Sequence, residues 1–412
     1  MIYIFYKIIQ NYHWGANVDI FEKCYNYTRA EEAKKAGYYP YFKAIQSGAG
    51  STVMIDGRKF IMIGSNNYLG LTQDPRIIQA ATDALHQFGS GCTGSRFLNG
   101  TLSLHEELED KLANFVHKEA AIVFSTGFQT NLGTISTIAS KNDLIFSDRT
   151  NHASIVDGCR LALGKVIKFK HNDMKDLDRA LGSNGSDSTG KVIVADGVFS
   201  MEGDIINLPE MVPIAKKHNA RIMIDDAHSI GVLGKGGRGT GEHFDLEDDI
   251  DLIMGTFSKS FASLGGFIAG EKRVVEYIKH NARSLIFSAS MPPTAVATVL
   301  KAVEILESEP ERIEKLWRNA EKMRKGFNEM GFDTGSSESP IIPVVIGDDM
   351  TTFYFWRLLF DNCIFTNPVI SPAVEPGRAM LRTSYMATHE DDELDQVLDI
   401  FHKVGKEVGL IT

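Results

Sequence analysis

The sequence predicts an α/β protein: a large domain with a mostly parallel sheet covered by helices, then a smaller C-terminal α+β domain. Two observations predict it. Between Leu104 and Ala269, short apolar runs alternate with amphipathic stretches, the pattern of strands buried on both faces and the helices that connect them. From Pro293 the texture changes to long helical stretches, short strands and a final helix. The 412 residues allow two or three domains with ample core.

Taken in order, the β-rich runs are Ala121–Phe124, Leu144–Phe146, Val192–Ala195, Arg221–Ile224, Leu252–Met254 and Phe267–Ala269. Leu104–Val116, Ala153–Leu163 and Leu208–His218 carry helical spacing between them. Ser183–Gly190 is rich in Gly and Ser and is predicted to be a surface loop. Beyond Pro293, helices are expected over Thr294–Ser308, Arg312–Met330 and Asp391–Val408, with strands near Ile341–Ile346 and Met380–Thr383. The domain expectation is an arm and lead-in hairpin over 1–58, a large domain over 59–292 and a small domain over 293–412. Met1–Gln10 is apolar and aromatic but short and lacks a small-residue cleavage site, which argues against a signal peptide. It reads as an arm packing on a neighbour, or as a weak membrane contact.

Composition narrows the function classes. The formal net charge is −10, whereas a binder of nucleic-acid backbones carries a basic surface. No run approaches the length of a membrane span. Cys24, Cys92, Cys159 and Cys363 are far apart with no CxxC pair, which argues against zinc and a disulfide framework and for a reducing compartment.

The chemistry concentrates at strand ends, where open α/β sheets bind ligands. Thr256-Phe257-Ser258-Lys259-Ser260 directly follows one apolar run. A lysine among hydroxyls suits a Schiff base beside a phosphate, although a surface lysine in a polar turn would look the same. Ile222-Met223-Ile224-Asp225-Asp226-Ala227-His228 puts a carboxylate at the end of another strand. Asp225 there could keep the ring nitrogen of pyridoxal phosphate (PLP) protonated, and His228 could bond the ring's phenolic oxygen. Asp-Asp-x-His could also bind metal or cap a helix, but no second ligand cluster is evident, so metal is not expected. Ser125-Thr126-Gly127-Phe128-Gln129-Thr130-Asn131 follows a third strand and offers free N–H groups for phosphate. His152, in Asp148-Arg149-Thr150-Asn151-His152-Ala153-Ser154, stands before a helix and could stack on a flat ring. Gly89-Ser90-Gly91-Cys92-Thr93-Gly94 satisfies G-x-G-x-x-G, but it follows a helical stretch and not a strand, so a dinucleotide is not expected.

Together these residues resemble the α-oxoamine synthases, a family of fold-type-I PLP enzymes with an aspartate-aminotransferase-like fold. The markers are Ser65-Asn66-Asn67-Tyr68-Leu69-Gly70-Leu71, Thr93-Gly94-Ser95-Arg96, Asn151-His152-Ala153-Ser154, Phe199-Ser200-Met201-Glu202-Gly203-Asp204, Asp225-Asp226-Ala227-His228 and Thr256-Phe257-Ser258-Lys259. The resemblance runs from about Gly37 to the C-terminus. It implies that Lys259 carries PLP and later takes the substrate's α-proton, that Asp225 pairs with the ring nitrogen, that His228 meets the phenolic oxygen and that His152 stacks on the ring. It implies phosphate contacts from Gly127, Phe128 and Thr256, and Ser200 beside the ring. Ser288 and Ala289 would reach a partner subunit's phosphate in a homodimer with shared sites. Arg382 would grip the amino acid's carboxylate, and Asn67 is a further candidate contact.

The substrates the resemblance implies are an amino acid, serine or glycine, and an acyl-CoA. Gly37-Tyr38-Tyr39-Pro40-Tyr41-Phe42 and Thr256–Gly266 look most like members that use L-serine and a long acyl chain; Asp196-Gly197-Val198-Phe199 looks like the glycine users. Many relatives carry Glu where Asp196 stands. Tyr39, Tyr41, Phe42 and Phe97 are candidate linings for an acyl groove. The implied location is the cytoplasm, with at most peripheral contact with the inner membrane.

Overall fold

Runs of four to six apolar residues, each ending near a polar one, form the central strands because alternate side chains bury on opposite faces. A computed structural model describes residues 19–186 and 188–412. The Met1–Gln10 segment lies outside them. Residues 19–43 form one unit and 44–412 a second. The first carries two short helices, Glu22–Tyr25 and Arg29–Lys35, neither with a buried residue.

In the second unit, β1 (Thr52–Ile55) and β2 (Arg58–Met62) make a hairpin. The main sheet takes β3 (Ala120–Phe124), β4 (Leu144–Asp148), β5 (Lys165–Phe169), β6 (Lys191–Asp196), β7 (Arg221–Asp225), β8 (Leu252–Thr256) and β9 (Gly266–Gly270). Their order is β3-β9-β8-β7-β6-β4-β5. The five strands from β8 to β5 are parallel, and β9 runs antiparallel between β3 and β8. All six expected strands are present. The seventh, β5, escaped the sequence reading because Lys165 and Lys168 break its apolar run; it is the sheet's edge, where one side faces water.

Alternation divides the core. Phe146, Ile193, Ile224 and Ile253 belong to one cluster, with Leu112, Val299 and Leu306. Ile145, Val194, Met223 and Met254 belong to another, with Ile135, Ile155 and Ile278. The sheet is thus covered on both sides. Asp225 continues the parity of Met223, and Asp226 that of Ile224, so the two aspartates point to opposite faces.

After Pro292 come helices Pro293–Ser308 and Glu311–Met330, then β10 (Ile341–Gly347), β11 (Ile364–Phe365), β12 (Asn367–Val369), β13 (Ala379–Ser384) and the helix Asp391–Val408. β10, β13 and β12 form an antiparallel sheet, while β11 pairs with β2. The G-x-G-x-x-G segment follows the helix Pro75–Phe88 and no strand, as its context suggested. It packs on residues 289–291 through Ser290 N–H to Gly94 O at 2.9 Å.

Phe401, on the last helix, is fully buried against Phe327 and Phe355, at ring separations of 4.8 and 5.5 Å. Phe401→Ala should cost about 3–5 kcal/mol. Urea denaturation checks this; a loss under about 1 kcal/mol would mean the surroundings collapse to fill the gap.

Candidate active site

Four parallel strands and β3 deliver their C-terminal ends to one edge of the sheet, and a cavity of about 280 Å³ opens there. After β3, Thr126 caps the helix Gly127–Ile138, its hydroxyl accepting the Gln129 N–H at 3.1 Å. Gly127 is required for close approach: a Cβ there would lie 2.6 Å from Thr256 Oγ1. The result is a helix N-terminus whose first N–H groups, at Gly127 and Phe128, lie beside a threonine hydroxyl, a cradle suited to a phosphate. Thr256 Oγ1 itself lies 3.1 Å from Ser258 Oγ.

Asp225 ends β7 with its carboxylate pinned. Asn131 Nδ2 donates to Oδ2 at 2.6 Å and Ala227 N–H to Oδ1 at 3.0 Å. In register beside it on β6 stands Asp196, which accepts the His152 N–H at 2.7 Å. Burial first, then the charge of Asp225, push Asp196 well above the usual carboxylate range. Asp226, on the other face, accepts from Thr240 N–H at 3.1 Å and does not line the cavity. Burial pushes it up to about 6.

Lys259 follows β8 in a turn. Desolvation inside the cavity pulls its amine down to about 7, against the raising pull of Asp225 and Asp196. A lysine tuned this way is largely uncharged just above neutrality and can act as nucleophile or base. His228 Nδ1 lies 2.7 Å from the hydroxyl of the fully buried Tyr68. Burial, with Lys259 and Arg382, holds His228 well below its usual value, and burial raises Tyr68 to about 12. Both are therefore neutral hydrogen-bonding groups near pH 7. His152 caps the helix Ala153–Leu161 at the cavity mouth and remains partly exposed to solvent.

Of the residues singled out by sequence, Gly127, Phe128, His152, Ser200, Asp225, His228, Thr256 and Lys259 line this one cavity. Arg382, buried on β13, reaches its edge: Nε donates to Ser200 O at 2.5 Å and Nη2 to Asn66 Oδ1 at 2.9 Å. Asn67 does not line it, and its Nδ2 is spent on Ala49 O and Thr72 Oγ1. Ser288 and Ala289 also stand outside the lining, where Gln129 Nε2 donates to Ser288 Oγ at 3.1 Å and Ser125 donates to the Ala289 carbonyl. Tyr39, Tyr41 and Phe42 belong to the N-terminal unit, with Phe42 94% exposed. The sequence reading gave no roles to Asp196, Asn131, Ser154 and Tyr68. For Asp196 a signal existed, a second carboxylate ending the neighbouring strand.

These residues fit PLP: a phosphate cradle at Gly127, a pinned carboxylate at Asp225 and a low-pKa amine at Lys259. Only the neutral amine attacks an aldehyde. The rate at which apoprotein captures pyridoxal phosphate should therefore rise with pH through about 7 and level off above about 8. Stopped-flow absorbance measures it. A rate still climbing tenfold per unit at pH 9 would mean an ordinary, solvated lysine.

Residues 58–401 match the family described as aminotransferase class I and II. A serine palmitoyltransferase from Sphingobacterium spiritivorum is 55% identical over 94% of this chain and 97% of its own. Among solved structures, a serine palmitoyltransferase from Sphingomonas wittichii superposes with a TM-score of 0.92 at 40% identity, covering 96% of this chain and 100% of that one. One from S. paucimobilis, with bound PLP–myriocin aldimine, gives 0.91 at 38% identity, covering 95% and 98%. The chain belongs to the aminotransferase class I and II family, within its α-oxoamine synthases, the fold-type-I PLP enzymes that its motifs resemble.

Proposed function

We infer that this chain is a PLP-dependent acyltransferase that condenses L-serine with a long-chain acyl-CoA, palmitoyl-CoA, giving 3-ketosphinganine, CoA and CO2, the first step of sphingolipid synthesis. The observation that carries this reading is the near-full-length likeness to serine palmitoyltransferases. PLP, held at Lys259, supplies an electron sink for the carbanion formed at the amino acid's α-carbon.

The chain's own groups have the following roles. Asp225, fixed by Asn131 and Ala227, would pair with the ring nitrogen. Gly127 and Phe128 N–H groups and the Thr256 hydroxyl hold the phosphate. His152 would stack on the ring, Ser200 would stand beside it, and His228 would meet the phenolic oxygen. Lys259 Nζ takes the α-proton, and its depressed pKa leaves it free to do so near neutrality. Arg382 grips the serine carboxylate. Its Nε is anchored on Ser200 O and one Nη2 hydrogen on Asn66 Oδ1, which leaves Nη1 and the second Nη2 hydrogen as the fork for a planar carboxylate.

The working unit is a homodimer in which Ser288 and Ala289 serve the partner's phosphate. Their position outside their own chain's cavity lining supports this reading. The free cysteines support the cytoplasm as location, with contact to the inner membrane at most peripheral. No helix among the described residues is long and apolar enough to cross a membrane.

CoA release should depend on serine and rise steeply from acetyl- to octanoyl- to palmitoyl-CoA, since each buried methylene contributes about 0.8 kcal/mol. Preference for glycine with acetyl-CoA would overturn the serine and long-chain assignment. Arg382→Ala should weaken serine binding about a hundredfold or more while PLP stays bound, because two charge-assisted hydrogen bonds are lost, each about 1.5–3 kcal/mol. Unchanged serine binding would remove Arg382 from the site. Sedimentation of the holoenzyme should show a dimer, and a fully active monomer would refute the shared phosphate site.

A further inference from the structure

A chain of hydrogen bonds joins His152, at the start of the helix after β4, to Asp225 at the end of β7. Asn131 Nδ2 donates to Asp225 Oδ2 at 2.6 Å and to Ser154 Oγ at 2.9 Å. Turning that amide over would set its oxygen against a carboxylate oxygen, two acceptors in contact, so its orientation is fixed. Ser154 Oγ lies 2.7 Å from His152 Nδ1, and the Ser154 backbone N–H also donates to Nδ1 at 3.2 Å. The Ser154 backbone N–H already points at Nδ1 and would oppose a proton there, so the Ser154 hydroxyl donates its proton to Nδ1 while its oxygen accepts from Asn131. Nδ1 is then an acceptor twice over, and the neutral imidazole keeps its proton on Nε2. Asn131 and Ser154 are both buried, so water does not readily replace either bond.

We propose that Ser154 is a positioning residue for the reaction: it fixes His152 as the Nε2–H tautomer and ties the ring, through Asn131, to Asp225. This rests on the reading of the site given above. The fixed tautomer makes His152 a hydrogen-bond donor at its free nitrogen and not a base. It also sets the ring plane, because both Nδ1 contacts come from one residue at the start of the helix Ala153–Leu161.

The charged and titratable groups around His152 are Asp225 from β7, Asp196 from β6, Lys259 after β8, and His228. Desolvation lowers the imidazole below its ordinary value. Asp225 pulls it up and Lys259 pushes it down. Ser154 adds a local bias to that balance by donating to the one lone pair that a second proton would need.

The test uses holoenzyme with nitrogen-15-labelled histidine, the His152 signals being identified by their loss in His152→Gln. At neutral pH the wild type should show Nδ1 bare and Nε2 protonated. Ser154→Ala removes a donor that favours the unprotonated Nδ1. The His152 titration midpoint, and with it the acid limb of kcat/KM for serine, should move up by about one pH unit. Ser154→Thr keeps the hydroxyl and should return both toward wild type. A proton on Nδ1 in the wild type overturns the proposal, as does Ser154→Ala with the His152 midpoint unmoved. The wild-type measurement decides even if a variant fails to fold. It does not depend on which acyl-CoA or amino acid the enzyme accepts, so an absence of serine-dependent CoA release would count against the functional reading alone.

Discussion

The site is organised around a carboxylate that cannot move. Asp225 is buried at the end of β7, held by Asn131 and by the Ala227 N–H, and flanked by Asp196 on one strand and the Thr256–Lys259 turn on the other. A buried charge without partners is costly. The surrounding arrangement answers that cost: two N–H donors on Asp225, a neighbouring Asp196 whose neutral form is favoured by burial and by the charge of Asp225, and an amine whose neutral form is favoured by desolvation. The same three features leave a fixed carboxylate at Asp225 and an amine at Lys259 suited to act as nucleophile. The electrostatics that make the cavity tolerable are therefore those that make it reactive.

Parallel topology explains why these groups meet. Strands β8, β7, β6 and β4 all end at one edge, so residues far apart in sequence share one rim. The antiparallel β9 returns the chain from the Lys259 turn and pairs with β3. Beyond the sheet, β13 brings Arg382 to the Ser200 carbonyl. The cavity is thus built by the sheet, and Arg382 reaches its edge from a strand more than a hundred residues further along the chain.

Much of this is legible in the sequence. Apolar runs marked six of the seven strands, and titratable residues at or within a few positions of their ends marked Asp225, Lys259 and His152, because a polar group at a buried strand end needs a reason to be there. The edge strand Lys165–Phe169 was hidden by its lysines, whose exposure is what an edge permits. The partner of the N-terminal hairpin, Ile364–Phe365, is two residues long and some three hundred positions away, too short to show a period. Asn131, Ser154 and Tyr68 were hidden for another reason. They are neutral polar residues buried among apolar ones, and their roles exist only in the hydrogen bonds that tertiary structure creates. Asn67 shows the reverse: a residue in a telling motif whose donors turn out to brace a loop.

The central claim is that this rim holds PLP on Lys259. Borohydride reduction of the holoenzyme followed by peptide mapping tests it most directly. The account predicts a pyridoxyl group on Lys259 and on no other lysine in the chain. A pyridoxyl group found on a different lysine, with Lys259 unmodified, would contradict it.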